Sequence, residues 1–437
     1  MASGKSRTPN PGLVSCILLA TVSGGNAQGA SGKSLEEVYF AALEQSETLA
    51  TQVELVHQAE ERLRQSQAAL LPTVNGVISY SAQEDVNSAN SIARSISPGN
   101  QWTGKLTLSQ PLFRGLREFA TIRQRKTLIG AQESGRERAE QLLFMDLVQS
   151  FYNVMLHEAD HQNLKRQISI NESRLEELKA LHKLGRAREA EVLAVEALLA
   201  NLSSQIETAF GQIQVARESL AFLSGMDRQI VLSDELPAPG AVKQLQEYLA
   251  SIAALPEIRA AQLELEAAEQ GVSISRGIHL PSLDLLGNYY ISRPDGALKD
   301  IGWDASLNLT IPIFAGGAVQ SQVRATTSER RVRELSLNRA RRQTEQEIRS
   351  QYAVLMSQLQ NVSKLEVAEQ ISQRSYSLQK RDFSQGRATN LEVLQASDAY
   401  EQTRRTLSRA RYNVKVELLK LEASVGHFPR QKKQVFQ

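Results

Sequence analysis

The chain has a single cysteine, Cys16, among its 437 residues, so it cannot build a disulfide framework or a cysteine-rich metal cluster. Aromatic residues make up 5 % of the sequence. That scarcity argues against two or three ordinary globular domains, although the length would hold them. Basic and acidic residues nearly cancel, leaving a formal charge of +2. No basic excess is present to neutralise phosphates, which excludes nucleic acid as a partner. No stretch reaches the roughly 18 apolar residues of a transmembrane helix. A Gly-rich phosphate loop closing on Lys-Ser or Lys-Thr is missing, as is a G-x-S-x-G elbow. Proline is absent from two long stretches, Pro111 to Pro237 and Pro312 to Pro429.

What is present begins with a targeting segment. Lys5 and Arg7 precede the apolar run "GLVSCILLATV" (Gly12 to Val22) and the small, polar "SGGNAQGA". This is the layout of a secretory signal peptide over residues 1–27, with cleavage after Ala27 or Ala30. Cys16 lies inside the apolar run, with almost none of that run upstream, which does not suit a lipoprotein box.

The remainder is written twice. "WTGKLTLSQPLFRG" (Trp102 to Gly115) returns as "WDASLNLTIPIFAG" (Trp303 to Gly316), and "GRAREAEVL" (Gly185 to Leu193) returns as "GRATNLEVL" (Gly386 to Leu394). One offset relates both pairs, and it also relates Gly225 to Gly426. Upstream, "LLPTVNGVISY" (Leu70 to Tyr80) matches "HLPSLDLLGNY" (His279 to Tyr289) at a slightly larger offset. The difference falls in the Ser/Asn-rich segment between Gln83 and Gln101, where a loop tolerates length change. The expected halves are 28–230 and 231–426, followed by a basic tail at 427–437.

Two periodicities alternate along each half. In the Pro-free stretches Ile348, Tyr352, Leu355, Leu359 and Val362 are spaced four and three apart, and Leu407, Ala410, Val414, Leu418, Leu421 and Val425 continue that spacing. Such a narrow seam predicts coiled-coil packing. One helix from Arg114 to Leu184 would run roughly 105 Å at about 1.5 Å per residue. Gly185 and Gly386 stand where each rod must reverse, so hairpins are expected over about 114–224 and 315–425. Before each rod the period becomes two. Ile301, Trp303, Ala305, Leu307, Leu309, Ile311 and Ile313 fall on one face, against Gly302, Asp304, Ser306, Asn308 and Thr310. Strands are expected at about 73–84, 101–113, 282–292 and 300–314. A soluble sandwich shows the same alternation. Strands of roughly 9 to 12 residues with Trp or Tyr near their ends also suit an outer-membrane barrel, whose usual minimum of eight strands would then demand several chains.

One motif points elsewhere. "HEADH" (His157 to His161) matches H-E-x-x-H, in which two histidines on one helix face bind zinc and Glu158 would activate water. It lies midway along a predicted rod, its counterpart "MSQLQ" (Met356 to Gln360) holds no ligand, and Glu172, Glu176 and Glu177 are about 17 Å or more along the same helix. The expectation is a run of solvated helix residues: no metal site, no cofactor and no enzyme.

The doubled strand starts, the "QPLF.G" and "IPIF.GG" exits and the doubled "GRA...EVL" turns resemble the TolC family of outer-membrane efflux and secretion channels. The resemblance covers about Leu35 to Gly426 and is most specific over Phe383 to Gly426. It implies a mainly α fold with transmembrane β: a homotrimer whose three chains give four strands each to a twelve-stranded β-barrel, above an α-barrel of long coiled-coil hairpins. It implies a passive exit duct in the outer membrane of a Gram-negative bacterium, contacting outer-membrane lipid and extending into the periplasm. A periplasmic adaptor and an inner-membrane RND, ABC or MFS pump would serve it, for efflux or type I secretion. By the same resemblance the adaptor docks on the tips Gly185, Arg186, Ala187 and Gly386, Arg387, Ala388. Acidic residues facing the entrance map to Glu191 and Glu392. The family's next acid is replaced by Gln395, which weakens the expected ring of negative charge. Trp102 and Trp303 fall at equivalent strand starts and are expected in the interfacial aromatic belt. The competing reading is a structural coiled-coil envelope protein or adhesin without transport, which leaves the recurrent amphipathic strands unexplained.

Overall fold

The computed structural model describes residues 32–82, 100–236, 242–293 and 298–430. The signal segment with Cys16, the Ser/Asn-rich insertion up to residue 99 and the end of the basic tail lie outside the described residues. Two short-range signals start the chain. Ser34 and Glu37 form a capping box for α1 (Leu35–Gln45), and Ser46 then caps α2 (Glu47–Ala68). The strands β1 (Thr73–Ala82) and β2 (Asn100–Arg114) follow, then α3 (Arg117–Lys183) and α4 (Glu189–Ser224). A short α5 (Leu245–Ala250) leads into α6 (Pro256–Gly277), β3 (Ser282–Ser292), β4 (Trp303–Thr310), α7 (Ala318–Ser384) and α8 (Asn390–Ser424). Helices α3 and α7 each have 67 residues, and α2 and α6 each have 22. None of the helices among the described residues is long and apolar enough to cross a membrane.

The four strands form one antiparallel sheet in the order β1-β2-β3-β4. The chain leaves β4 at Thr310, short of the expected end near residue 314. Thr310 pairs with Ser282, the first residue of β3, so among the described residues Ile311 and beyond have no strand partner, and Pro312 has no N–H to offer one. Pro111 is instead carried inside β2, where the register with β3 shifts between Pro111 and Phe113.

Below the sheet the helices lie side by side in a single layer. Near the strands the order is α2, α3, α6, α7; farther away it is α4, α3, α8, α7. Two apolar clusters hold the layer together where the short helices cross it. In the first, Val38, Tyr39 and Ala42 of α1 pack on Phe144, Leu147, Val148 and Phe151 of α3. In the second, Tyr248 of α5 and Ile258 of α6 pack on Ile348 and Leu355 of α7, with Val414 and Leu421 of α8. Ile348, Leu355, Val414 and Leu421 belong to the four-three seams read from the sequence. Their burial supplies the apolar contact that two long, otherwise polar helices need to stay together.

Passing from strand to helix requires left-handed backbone. Gly115 (φ 68°) and Leu116 (φ 61°) make that passage before α3, and Gly316 (φ 59°) and Gly317 (φ 82°) make it before α7. Leu116 is the only non-glycine with positive φ among the described residues. It accepts a conformation costing about 1–2 kcal/mol, at a site where its counterpart is glycine.

Candidate functional site

Two ends of the chain carry the candidate site residues: the hairpin tips and the sheet. Both tips end in the same hydrogen-bond pattern. Gly185 N–H donates to His182 and Arg186 N–H to Leu181; Gly386 N–H donates to Phe383 and Arg387 N–H to Asp382, at 2.8–2.9 Å. This pair of bonds satisfies the last carbonyls of a helix, and it needs the left-handed φ of 69° and 71° found at the two glycines. No neighbour stands within 4 Å of a Cβ built on either glycine, so backbone conformation alone selects the residue. Arg186 and Arg387 are exposed; Arg387 pairs with Asp382 at 2.9 Å. Ala187 offers its carbonyl to the His182 ring, and Ala388 is half-buried.

The two carboxylates expected at the entrance, Glu191 and Glu392, occupy equivalent helical positions with different partners. Thr389 caps α8: its hydroxyl accepts from Glu392 N–H, while the Glu392 carboxylate accepts from Thr389 N–H at 2.6 Å. Those backbone and hydroxyl bonds from Thr389 hold the Glu392 carboxyl below its ordinary pKa. Glu191 has Arg188 where Glu392 has Thr389, and its carboxylate meets that guanidinium at 3.2 Å. Gln395 lies one turn beyond Glu392, exposed. The T-x-x-E signature at Thr389 is a capping box legible in the sequence, and it assigns Glu392 a structural duty that the charge-ring expectation omits.

Sequence reasoning missed a further pair. Arg174 of α3 donates through Nε and Nη2 to Asn390 Oδ1 at 3.1 and 2.8 Å, and its guanidinium lies 4.0 Å over the Phe383 ring. It ties the first hairpin to the tip of the second, beside a small cluster of Leu178, Val192 and Val195 that Phe383 and Leu394 join. The partners are 216 residues apart, so no local pattern announces them.

The sheet sorts its side chains by register. Val74 pairs with Leu108, Tyr80 with Trp102, Leu106 with Tyr289, Leu285 with Leu307 and Tyr289 with Trp303, all on one face. Trp102 and Trp303 are 61 % and 69 % exposed, and the Tyr80 and Trp102 rings are 4.9 Å apart. The opposite face is polar apart from Val77 and Leu286, and internally bonded: Thr107 Oγ1 donates to Asn288 Oδ1 at 3.0 Å, Asn288 Nδ2 to Asp304 Oδ1 at 2.8 Å, and Arg114 pairs with Asp284 at 3.0 Å.

"HEADH" differs from the expectation of solvated residues. Asp160 is 4 % exposed and accepts from Arg405 and Arg409 of α8; Glu158 pairs with Arg217 of α4. Burial lowers the pKa of both His157 and His161. Both neighbouring helices present arginines to this turn of α3, and the acids are consumed by them. Among the described residues no group of three His, Cys, Asp or Glu could hold a metal ion.

A layer of paired long helices bearing one small antiparallel sheet, with its apolar residues gathered on one face, defines a mainly helical fold with an amphipathic four-stranded sheet. Residues 38–226 and 250–427 match the outer membrane efflux protein family, and the chain belongs to it. It is an outer-membrane exit duct for efflux or secretion, in a family of channels rather than enzymes. The outer membrane protein TolC of Escherichia coli (strain K12) is 22 % identical over 394 residues, covering 84 % of this chain and 77 % of that protein. The fusaric acid resistance protein FusA of Burkholderia cepacia is 27 % identical over 293 residues, covering 62 % of this chain but only 54 % of its own length. Among solved structures, CusC superposes with a TM-score of 0.78 at 18 % identity, covering 90 % of this chain and 92 % of that one. VceC of Vibrio cholerae gives 0.76 at 19 %, covering 90 % and 96 %.

Proposed function

We propose that three copies of this chain close into one passive duct, with a twelve-stranded β-barrel in the outer membrane and an α-barrel reaching into the periplasm. The observation that carries this reading is the sheet. Its four strands present a continuous apolar face, while β1 and β4 each have a partner on one side only. Four strands are half of the usual barrel minimum of about eight, so closure requires further copies. The helical layer has the same two open sides: α2 and α4 on the edge of β1, and α7 on the edge of β4. Joining the β4 side of one copy to the β1 side of the next is a head-to-tail contact, which closes into a ring.

Each half of the chain, 28–230 and 231–426, supplies two strands and one hairpin in this arrangement, after a signal peptide over 1–27. Trp102 and Trp303 sit in the aromatic belt at the barrel rim. The tips Gly185-Arg186-Ala187 and Gly386-Arg387-Ala388 receive a periplasmic adaptor, which couples the duct to an RND, ABC or MFS pump. At the entrance Glu191 and Glu392 set the local charge. Glu392 stays ionised at neutral pH under its cap, Glu191 is offset by Arg188, and Gln395 adds none. The 67-residue helices give an α-barrel about 100 Å long at ~1.5 Å per residue.

The test is electron microscopy of the full chain extracted from an outer membrane in mild detergent. A hollow three-fold cylinder with a detergent belt at one end is expected. A solid rod, or compact particles without three-fold symmetry, overturns the reading.

A further inference from the structure

The free edges of the helical layer carry opposite charge. At about 100° per residue, the packed side of α7 is marked by Leu337, Thr344, Ile348 and Leu355, all buried. The opposite side holds Arg324, Arg331, Arg339 and Arg342, with Val332 and Leu335 exposed between them. Helix α2 packs along α3 with Val56, Ala59 and Leu63 turned inward, and Glu47, Glu54 and Glu61 lie on its outer side, one heptad apart. Arg62 lies to one flank of that acidic side, and Glu345, bonded to Arg349, lies to one flank of the basic one. Among the described residues these groups have only local partners: Glu61 pairs with Arg64, Arg331 with Glu334, and Arg324 bonds Ser321. Among the described residues Glu47, Glu54, Arg339 and Arg342 have no ion pair.

Their heights agree. Counting ~1.5 Å per residue from the strand-proximal helix ends, Glu61, Glu54 and Glu47 lie about 10, 21 and 31 Å down α2. On α7, Arg324, Arg331 and Arg339 lie about 9, 20 and 31 Å down by the same rise.

The internal junction between α3 and α6 provides an independent template. There Arg123 Nε donates to Gln270 Oε1 at 3.2 Å, a Cβ on Gly130 would stand 3.2 Å from Leu263, and Arg138 pairs with Glu257 at 3.5 Å. The hairpin offset carries Arg123, Gly130 and Arg138 onto Arg324, Arg331 and Arg339. The offset that carries β1 onto β3 also relates Gln270 to Glu61 and Leu263 to Glu54, and places Glu257 opposite Thr48, beside Glu47. Contacts made inside the chain thus map onto Arg324–Glu61 and Arg331–Glu54 between chains, while Arg339–Glu47 rests on the matching heights and on the heptad spacing of Glu47 from Glu54.

From these positions we infer that the docking partner of the basic edge of α7 is the acidic edge of α2 on a second copy of this chain, joined by those three ion pairs. The inference rests on the ring reading and names the contact that selects the partner. Its test is charge reversal in the full chain in detergent, read as the trimer fraction by native mass spectrometry at low and high salt. Glu47→Arg/Glu54→Arg/Glu61→Arg and Arg324→Glu/Arg331→Glu/Arg339→Glu are each expected to speed ring dissociation by at least about tenfold at low salt. Combining the six changes restores pairing and is expected to return the trimer to wild-type persistence, which a folding defect would not do. Unchanged trimer in both triple variants, or a six-fold variant no better than either, overturns the zipper and leaves the ring standing. A wild-type chain that never forms a trimer overturns the ring itself.

Discussion

Replacing Asp160 by Asn tests whether the middle of the rod is held by charge. The Asp160 carboxylate accepts from Arg405 Nε at 2.8 Å and Nη2 at 3.1 Å, and from Arg409 Nη2 at 2.7 Å. Hydrogen bonds to charged groups contribute about 1.5–3 kcal/mol each. The two from Arg405 share one guanidinium and do not add fully. The Arg409 side chain is 50 % exposed, so solvent screens its share toward the value of a surface pair, ~1 kcal/mol or less. The Asn variant should therefore lose about 2–4 kcal/mol. The loss should be coupled to Arg405→Met and only weakly to Arg409→Met in double-mutant cycles. Burial pushes the Asp160 carboxyl up, but the bonds and charges of the two arginines outweigh it and leave its pKa below the ordinary value. A lowered folded-state pKa means full stabilisation above the unfolded value, near 3.9, and loss as pH falls through the folded one. Chemical unfolding followed by helical circular dichroism should show a wild-type advantage constant from about pH 7 to pH 5. That advantage should shrink below about pH 4. A difference under ~0.5 kcal/mol at neutral pH, or one that persists unchanged at about pH 3, refutes the reasoning.

At the second tip, Thr389→Ala removes the side-chain cap of α8 and should cost about 1 kcal/mol, with Thr389→Ser retaining most of it. Hydrogen exchange at residues 390–393 reads this locally, and protection unchanged in the Ala variant contradicts the cap. In the sheet, Leu307→Arg places a charge on the apolar face and should destabilise insertion into a bilayer by about 2–4 kcal/mol. Ser306→Arg, one residue away on the polar face, should be tolerated; equal penalties for the two would contradict the membrane-facing assignment.

How far the sequence could be read depended on the range of the interaction. The seam Ile348, Leu355, Val414 and Leu421 was visible because coiled-coil packing imposes a periodic demand on neighbouring turns. The strand faces were visible for the same reason at period two; they place Leu285 and Leu307 on one face, while the pairing of these two comes only with the folded sheet. The tips were visible as Gly185 and Gly386, because few other residues accept φ near 70°. The length of β4 was not legible, since it depends on where β3 begins. Nor was the engagement of Asp160 with Arg405, or of Arg174 with Asn390, since each joins helices distant in sequence. "HEADH" shows the consequence: its spacing suits a metal, but what acts on it are arginines from helices that no local window contains.

The doubled sequence also explains why its two halves cannot carry the same charges. Equivalent positions inherit backbone geometry: both tips close with the same bonds, and α2 and α6 have equal length. Side chains face different requirements. The α3–α6 junction joins two parts of one chain and is already held at high effective concentration; it keeps ion pairs, Arg138–Glu257 and Arg259–Glu137, only far from the strands, and uses the neutral Gln270, Gly130 and Leu263 nearer to them. In the proposed ring the same positions, at the junction between copies, are Glu61, Arg331 and Glu54. In that ring each copy would select its neighbour by encounter, and complementary charge raises the rate and fixes the register of encounter. Identical charges on both edges would repel at a head-to-tail contact. Under the proposed ring, the division between an acidic α2 and a basic α7 lets one chain serve as both partners of the same interface.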